Sequence, residues 1–291
     1  MDFVMSDAKK LLTEKIMQAD AIVIGGGSGL SSAAGYDHYH WSPALRESLD
    51  VFREYYGFRS PLDGFYHCFS SYEEQWGYYS QYIHFMWEAP PGQTYLDLKE
   101  IVGQKPCFIL TTNVDMQFFK VFPKEQICAF QGDFQYCQCS QPCEDVLYDS
   151  RRMVEAMTEQ LIDGVKIKTD MVPRCGKCGR VMVPWVRDDS FLEGKYWAEQ
   201  AEQYHRFLRH WIAEQGDSQV LLLELGVGEM TPSVIKLPFW EMAEKNRNVF
   251  YACLNKKPSH APEHLRGKSL YLEGDLKETL GSLKEEVKRY R

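Results

Sequence analysis

The chain has 291 residues, of which 44% are hydrophobic and 25% charged, and this composition supports one large α/β domain with a substantial insertion. Its 33 basic and 41 acidic side chains give a formal net charge of −8, which argues against sequence-independent binding of nucleic acid or of an anionic membrane. No apolar run reaches the about 18 residues of a membrane span, and residues 1–7 lack the features of a signal peptide. We therefore expect a cytoplasmic protein that binds neither membrane nor nucleic acid.

The first predicted elements are a helix and a buried strand. Residues 6–19 carry apolar side chains at helical spacing, and residues 21–24 are apolar and rich in β-branched side chains. The glycine-rich run from Gly25 to Gly29 follows directly and presents backbone N–H groups with no side chain in the way, which suits a pyrophosphate. Neither the Gly-x-Gly-x-x-Gly fingerprint nor a P-loop is complete, so this turn indicates a nucleotide without identifying the chemistry. A purely structural glycine turn is the alternative.

Residues 36–95 form the aromatic part of the chain, with 18 of its 40 Phe, Tyr and Trp residues. Helices are predicted around residues 43–56 and 61–87, and the sequence Ala89-Pro90-Pro91-Gly92 ends the second one. We expect a helical subdomain with an aromatic core, which could also form a lid that keeps water from a reactive ribose.

A second buried strand, residues 106–110, ends in a cluster of polar side chains. Thr111, Thr112, Asn113 and Asp115 follow it, and ligands of open α/β sheets bind at the carboxyl ends of the strands. Two hydroxyls, an amide and a carboxylate suit a hydrogen-bonding ligand such as a carboxamide with a ribose. A helix cap would need one such residue and would leave the others unexplained.

A third strand, residues 126–130, leads into Gln131, and two cysteine clusters follow. The first cluster contains Cys137, Cys139 and Cys143, and the second contains Cys175 and Cys178. This spacing is typical of a structural zinc site with four thiolate ligands, although the site could also have lost its metal. We favour Cys139 and Cys143 together with Cys175 and Cys178, with Cys137 possible in place of Cys139. Basic and acidic side chains are equal in number between residues 137 and 185, so the module is not expected to bind nucleic acid.

The last part of the chain alternates helices and strands. A helix is predicted over residues 195–215, strands over 220–225, 248–255 and 269–275, and a helix at the C-terminus. The strand at 220–225 runs into a second glycine turn, Gly226-Val227-Gly228. This alternation predicts a Rossmann-like parallel sheet with helices on both faces, combined here with a small zinc-binding and helical domain.

In this order the segments resemble the sirtuin family over residues 20–280. The family's Gly-Ala-Gly-Ile-Ser-x-x-Ser-Gly-Ile-Pro-x-Phe-Arg corresponds to residues 27–35 followed by Tyr39-His40. Its Thr-Gln-Asn-Ile-Asp corresponds to residues 111–115, its His-Gly to Gln131-Gly132, its Gly-Thr-Ser turn to residues 226–228, and its late Ile-Asn to Leu254-Asn255.

The resemblance implies one sirtuin-type catalytic domain, 1–291, with NAD in a cleft. The Rossmann-like core would comprise about 15–35, 100–132 and 217–291, and the small domain about 36–99 (helical) and 133–190 (zinc module). The glycines and Ser31 would face the phosphates or their ribose, Asn255 and Asp275 the adenosine, and Asn113 with its neighbours the nicotinamide. The full implied cofactor set is Gly27, Ser28, Gly29, Ser31, Thr112, Asn113, Asp115, Gln131, Gly226, Val227, Gly228, Asn255 and Asp275.

Two departures from the family pattern change the expected activity. Gln131 stands where the sirtuin deacylases have a histidine base, and an amide cannot accept the proton that deacylation removes. The family's arginine is also missing, with His40 at its position. Expelling nicotinamide needs no such base, only binding, distortion and stabilisation of a cationic ribose. Deacylation is therefore expected to be poor or absent.

In these departures the chain is similar to the macrodomain-linked, class M sirtuins. That resemblance implies an NAD-dependent protein mono-ADP-ribosyltransferase with structural zinc, in which Asn113 and Gln131 are the catalytic residues. It also implies a lipoylated, glycine-cleavage-H-like carrier protein as acceptor, a macrodomain ADP-ribosyl hydrolase as antagonist, and a role in the oxidative stress response. The alternatives are a deacylase with an atypical site, an NAD hydrolase, and a catalytically weak NAD- or ADP-ribose-binding module.

Overall fold

The computed structural model describes residues 2–229, 232–257 and 262–291, with side chains from residue 7 onward. The strands within these residues are β1 (Ala21–Gly26), β2 (Cys107–Thr111), β3 (Ile127–Ala129), β4 (Gly132–Cys139), β5 (Tyr148–Asp149), β6 (Met182–Val186), β7 (Val220–Leu225), β8 (Val249–Asn255) and β9 (Ser269–Glu273). The α-helices are α1 (Asp2–Gln18), α2 (Ser28–Ala33), α3 (Pro43–Tyr56), α4 (Asp63–Tyr66), α5 (Tyr72–Glu88), α6 (Gln93–Val102), α7 (Arg151–Thr158), α8 (Lys195–Leu208), α9 (Lys236–Lys245) and α10 (Leu276–Tyr290). A π-helical segment, Arg209–Glu214, extends α8.

Six strands form a parallel sheet in the order β3-β2-β1-β7-β8-β9. The strand order reverses between β1 and β7, which are neighbours in the sheet although far apart in sequence. In open α/β sheets the usual ligand position is the carboxyl edge of the strands near such a reversal of strand order. The predicted fold class, a Rossmann-like α/β sheet, is confirmed.

Helices cover both faces of this sheet because successive strand residues point in opposite directions. Ile22 and Ile24 of β1 belong to a core formed with helices α1, α2, α6 and α10. Val23, which lies between them, belongs to a second core formed with α8 and α9. The apolar runs of β1, β2 and β7, the last interrupted by the buried Glu224, are thereby explained, since these strands are buried on both faces.

A separate hydrophobic core lies beside the sheet. Helices α3, α5 and α7 pack there against a three-stranded antiparallel sheet of order β5-β4-β6. Trp76 and Tyr78 are fully buried in it, and the Trp76 indole N–H donates to the carbonyl oxygen of Met182 on β6 at 3.0 Å. Most of the aromatic side chains of residues 36–95 are thus used for packing.

Three local predictions are corrected by the structure. The single helix expected over residues 61–87 is two helices, because the Ser71 hydroxyl accepts from the Glu74 N–H and starts a new helix there. Helix α6 was not predicted, although it begins just after Gly92. Strand β1 continues through Gly25 and Gly26, where a side chain would collide with Phe239 and Phe118 respectively. In the part of the chain that the structure describes, no helix has the length and apolarity needed to cross a membrane.

Candidate active site

The glycine turn after β1 packs directly on the glycine turn after β7. The Gly27 N–H donates to Leu225 O at 3.0 Å, and the Gly29 N–H donates to Gly226 O at 2.9 Å. A Cβ on Gly27 would lie 2.6 Å from Val227 Cα, so the two turns approach as closely as their backbones allow. These two amides are therefore not available to a phosphate, and part of the glycine signature serves backbone packing.

A cavity of about 310 Å³ opens at the carboxyl ends of the central strands. Five residues that were predicted to bind the cofactor line it: Ser28, Thr112, Asn113, Gln131 and Gly228. Apolar side chains form much of the remaining wall, among them Leu62 and Phe65 near helix α4 and Phe134 on strand β4. A wider, more open depression of about 630 Å³ lies at the amino ends of the strands, near Asp20 and Trp211, away from the predicted residues. The smaller cavity is the better candidate because polar groups converge in it, and its size suits one end of a dinucleotide.

Asn113 is held rigidly in the cavity wall. Its Nδ2 donates to Gly27 O at 3.0 Å and to the Tyr95 hydroxyl at 3.3 Å, while its own backbone N–H donates to Thr111 Oγ1 at 3.0 Å. The Gly27 carbonyl can only accept, so the orientation of the amide is determined by this contact. The side-chain oxygen of Asn113 accepts no hydrogen bond from the residues that the structure describes, so it is available to a ligand.

Asp115 and Ser31 do not line the cavity but lie beneath its wall. The Asp115 carboxylate is 1% exposed and accepts hydrogen bonds from Ser31 Oγ and from the Gln117 N–H, the latter at 3.1 Å. Burial opposes its ionisation, but His38 together with these hydrogen-bond donors outweighs burial and lowers the pKa of the Asp115 carboxyl. A fixed negative charge therefore sits close behind the cavity.

His38 lines the cavity and was not identified from the sequence. Its side chain is 13% exposed, with Nδ1 in hydrogen-bond contact with the Tyr82 hydroxyl and Nε2 3.5 Å from Asp115 Oδ2. His40, two residues later, is 84% exposed and pairs with Asp37 at 3.1 Å, so it does not replace the family's arginine in the cavity. The Asp37 carboxylate also accepts from the backbone N–H groups of Tyr39 and His40, and this turn directs one histidine inward and the other outward.

Gln131 lies in the cavity wall on a tight connection between β3 and β4. Its backbone carbonyl oxygen accepts from the backbone N–H of Arg187 at 2.9 Å. Gly132 adopts φ +73°, where a side chain would collide with the Trp185 carbonyl. The Arg187 guanidinium also lines the cavity, packed 4.3 Å from the Phe191 ring centre and donating to Phe130 O. Nothing in the sequence pattern had distinguished Arg187 from a surface arginine.

The residues predicted at the adenosine end lie outside this cavity. Asn255 ends β8 and donates through Nδ2 to Val227 O at 2.9 Å, which ties the β8 end to the second glycine turn. Asp275 follows β9 and caps α10, because its carboxylate accepts from the backbone N–H groups of Lys277 and Glu278. Both residues therefore lie at the carboxyl edge of the sheet, across β1 and β7 from Asn113.

The four favoured cysteines come together at one point of the small antiparallel sheet. The sulfur atoms of Cys139, Cys143, Cys175 and Cys178 lie within 4.8 Å of one another, and Cys137 is buried in the aromatic core outside this group. The Cys139 and Cys178 sulfurs are 3.5 Å apart, and the Cys143 and Cys175 sulfurs are 3.6 Å apart. Both separations are close to the about 3.8 Å between sulfur ligands of a tetrahedral zinc ion. The backbone N–H of Arg180 lowers the pKa of the Cys178 thiol to about 6, and the backbone N–H groups of Cys178 and Lys177 lower the pKa of the Cys175 thiol. The group fits a structural zinc ion with no open coordination position.

Comparisons with known proteins agree with this fold. No family model matches the chain. A crystal structure of a Sir2 homologue in complex with NAD has a TM-score of 0.63 and 15% identity, with 97% of this chain and 94% of that one covered. A structure of a Sir2 protein bound to a propionylated peptide has a TM-score of 0.59 and 17% identity, with 95% and 97% covered. The chain thus has the fold of the Sir2 proteins, or sirtuins.

Two curated relatives are more similar in sequence. The protein ADP-ribosyltransferase of Staphylococcus aureus (strain Mu50 / ATCC 700699) is 32% identical over 287 residues, which cover 95% of this chain and 88% of the relative. A probable bifunctional ADP-ribose hydrolase/ADP-ribosyltransferase of Fusarium oxysporum f. sp. cubense is 29% identical over 247 residues, 78% of this chain but only 39% of that protein. The chain belongs to the family of sirtuin-type protein ADP-ribosyltransferases.

Proposed function

We propose that this chain is an NAD-dependent protein mono-ADP-ribosyltransferase that releases nicotinamide and modifies a protein acceptor. The observation that carries the proposal is the cavity at the carboxyl edge of the sheet, whose wall contains the two carboxamide side chains of Asn113 and Gln131. The family relationship to the staphylococcal transferase supports the same reaction.

The residues of the cavity can each be given a task in this reaction. When bound, NAD supplies the ADP-ribosyl group through cleavage of its nicotinamide–ribose bond. Asn113 would orient the ribose and nicotinamide through its free side-chain oxygen, since both of its N–H donors are engaged. The ionised Asp115 behind the wall would favour the positive charge that develops on the ribose. Gln131 would hydrogen-bond the ribose hydroxyls or position the nucleophile, without accepting a proton.

The apolar part of the wall supports the further proposal of a lipoylated carrier protein as acceptor. Leu62, Phe65 and Val186 line the cavity, and Tyr66 at 79% exposure lies at its outer side. An aliphatic prosthetic arm could pack against these side chains while its carrier protein stays outside.

The hydrolase activity named for the fungal relative supports a macrodomain-type ADP-ribosyl hydrolase as the antagonist of this modification.

The remaining assignments are also part of the proposal. The separate aromatic core supports the division into a Rossmann-like core and a small domain. A structural zinc ion would be bound by Cys139, Cys143, Cys175 and Cys178. It would crosslink the small antiparallel sheet, whose strand β4 directly follows Gln131. The more distant cofactor residues, Asn255 and Asp275, would face the adenosine from the ends of β8 and β9.

A deacylase is the second candidate function, favoured by one observation. His38 places an imidazole in the cavity wall, although its Nδ1 is engaged with Tyr82 and its Nε2 faces Asp115.

Purified enzyme should be incubated with labelled NAD, first with a lipoylated H-like carrier protein and then with an acylated peptide. Transferase activity predicts a labelled carrier with release of one nicotinamide per label. Formation of O-acyl-ADP-ribose from the peptide would instead support the deacylase.

A further inference from the structure

The segment directly after Asp115 contacts the connection between the aromatic core and the sheet. Gln117 is fully buried, and its side-chain Oε1 accepts from the Gly92 N–H at 2.8 Å while its Nε2 donates to Pro90 O at 3.4 Å. Both partners lie between helices α5 and α6, where the chain passes from the aromatic core back to the core of the sheet. A backbone N–H only donates and a carbonyl only accepts, so these two contacts determine the orientation of the Gln117 amide.

Lys120, three residues further on, binds the end of helix α5. Its ammonium group donates to Met86 O at 2.7 Å and to Trp87 O at 3.1 Å, and it also contacts Ala89 O. Carbonyl groups in the last turn of a helix have no partner within the helix, so Lys120 supplies the donors that they lack. Tyr82, one turn earlier in α5, lines the cavity. Lys120 therefore fixes a helix that carries part of the cavity wall.

The segment that contains Gln117 begins with residues of the opposite wall. Asn113 lines the cavity, and the Gln117 N–H donates to Asp115 Oδ1 at 3.1 Å. Met116 adopts φ +63°, and its side chain is buried in the aromatic core. This left-handed conformation costs a non-glycine residue free energy, and it persists only where the surrounding contacts enforce it. The turn is thus held on two sides, by Asp115 beneath the wall at the end of β2 and by Met116 in the aromatic core.

We propose that Gln117 and Lys120 are positioning residues that set the distance between the two walls of the cavity, with Asn113 on one wall and Tyr82 on the other. Neither residue lines the cavity, so each acts through the groups that it holds. Neither lies in the motifs that the chain shares with the sirtuin pattern, which end at Asp115 in this segment.

The inference rests on the proposed function, because the distance between the walls matters only if NAD reacts between them. A misplacement of about 1 Å slows a reaction about 100-fold, so a looser joint affects turnover. The predicted contacts to the phosphates and the adenosine lie elsewhere, at the glycine turns and at the ends of β8 and β9. Loosening the joint should therefore slow the transfer and leave the binding of ADP-ribose unaffected.

The test compares kcat for acceptor labelling with the Kd for ADP-ribose, measured by isothermal titration calorimetry. Gln117→Met removes both side-chain hydrogen bonds at similar volume, and it should lower kcat about tenfold and change the Kd by less than about twofold. Asn248→Leu is the control, because this buried amide donates to Ser218 O at 2.8 Å at the opposite, amino edge of the sheet. Both variants should unfold at a lower temperature than the wild type, but Asn248→Leu should keep the wild-type kcat.

An unchanged kcat in Gln117→Met, or an equal loss of kcat in Asn248→Leu, would overturn the inference, since the contacts of Gln117 would then serve stability alone. A loss of ADP-ribose affinity as large as the loss of kcat would also overturn it. If thermal unfolding shows that Gln117→Met does not fold, Lys120→Met decides, because the Lys120 side chain is only partly buried. Lys120→Met should lower kcat at least about threefold with unchanged ADP-ribose binding, and a wild-type kcat would overturn the inference.

The proposed function itself fails in a different way. A wild-type chain that binds no ADP-ribose and labels no acceptor would refute the transferase reaction. An active wild type whose kcat is insensitive to both substitutions would refute only the positioning role of Gln117 and Lys120.

Discussion

The side-chain amide of Asn113 donates to the backbone carbonyl oxygen of Gly27 at 3.0 Å. This bond joins the end of β2 to the glycine turn after β1, so the two neighbouring strand ends form one rigid corner. The same amide donates to Tyr95, whose hydroxyl contacts Ser31 and thereby the buried Asp115. The wall of the cavity and the charge behind it are therefore parts of one hydrogen-bond network.

Substitution of either cavity amide should remove transferase activity without unfolding the protein. Asn113→Ala and Gln131→Ala are each expected to lower the rate of acceptor labelling about 100-fold, because oriented hydrogen-bond partners of the ribose are lost. The measurement is the initial rate with labelled NAD, with circular dichroism to check the fold. Gln160→Ala, at an exposed glutamine whose side chain accepts a hydrogen bond from the Lys168 side chain, is the matched control. Labelling at wild-type rates by both cavity variants would show that the active site lies elsewhere.

Gly27 in the first glycine turn and Gly228 in the second should differ sharply in their tolerance of a side chain. A Cβ at Gly27 would lie 2.6 Å from Val227 Cα and 2.7 Å from Gly226 O, and backbone atoms cannot move aside as a flexible side chain can. Gly27→Ala should therefore lower the free energy of unfolding by about 2 kcal/mol, measured by urea denaturation. At Gly228 no atom of the described residues lies within 4 Å of such a Cβ, so Gly228→Ala should leave stability unchanged. Equal stability of the two variants would contradict the close packing of the turns.

The zinc content of the protein should depend on the four clustered cysteines, Cys139, Cys143, Cys175 and Cys178, and not on the neighbouring Cys137. Cys139→Ser or Cys178→Ser should reduce bound zinc from about one ion per chain to nearly none, since three thiolates no longer close the site. Cys137→Ala should keep the metal, because this side chain lies in the aromatic core outside the cluster. Metal analysis by mass spectrometry of purified variants provides the measurement. Loss of zinc from the Cys137 variant together with retention in the Cys139 variant would reverse the assignment.

The buried Asp133, two residues after Gln131, should make stability depend on pH. Its side chain is 0% exposed, and burial raises the pKa of its carboxyl to about 7. Between about pH 4 and pH 7 the unfolded chain loses this proton while the folded chain keeps it, so stability must fall as pH rises through this range. Asp133→Asn keeps the acceptor for the Gln135 N–H, which lies 2.7 Å from Oδ1, and carries no charge.

Asp133→Asn should therefore be more stable than the wild type at pH 8, by about 3 kcal/mol, and similar to it at pH 4. Chemical denaturation at both pH values measures the difference. Asp170→Asn, at an exposed aspartate, is the control and should follow the wild type at both. A constant difference between Asp133→Asn and the wild type across this range would show that Asp133 titrates normally in the folded state.

The sequence by itself determined the central architecture and pointed to five of the residues that line the candidate cavity. Apolar, β-branched runs between helical segments are sufficient to predict a parallel sheet, because such strands must be buried on both faces. Polar residues placed directly after these strands must then meet at one edge, and Ser28, Thr112, Asn113, Gln131 and Gly228 do line one cavity there. The cysteine spacing likewise led to the four sulfurs that the fold brings together.

Only the tertiary structure decided how the irregular segments direct their side chains. The sequence alone does not distinguish His38 from His40. The turn at Asp37 places His38 in the cavity wall and leaves His40 exposed. Asp115 proved to lie behind the cavity wall, and Arg187, directly after strand β6 of the small antiparallel sheet, proved to be part of that wall. The physical reason is that burial, hydrogen-bond partners and pKa depend on contacts between segments far apart in sequence, whereas periodicity reports only on neighbours along the chain.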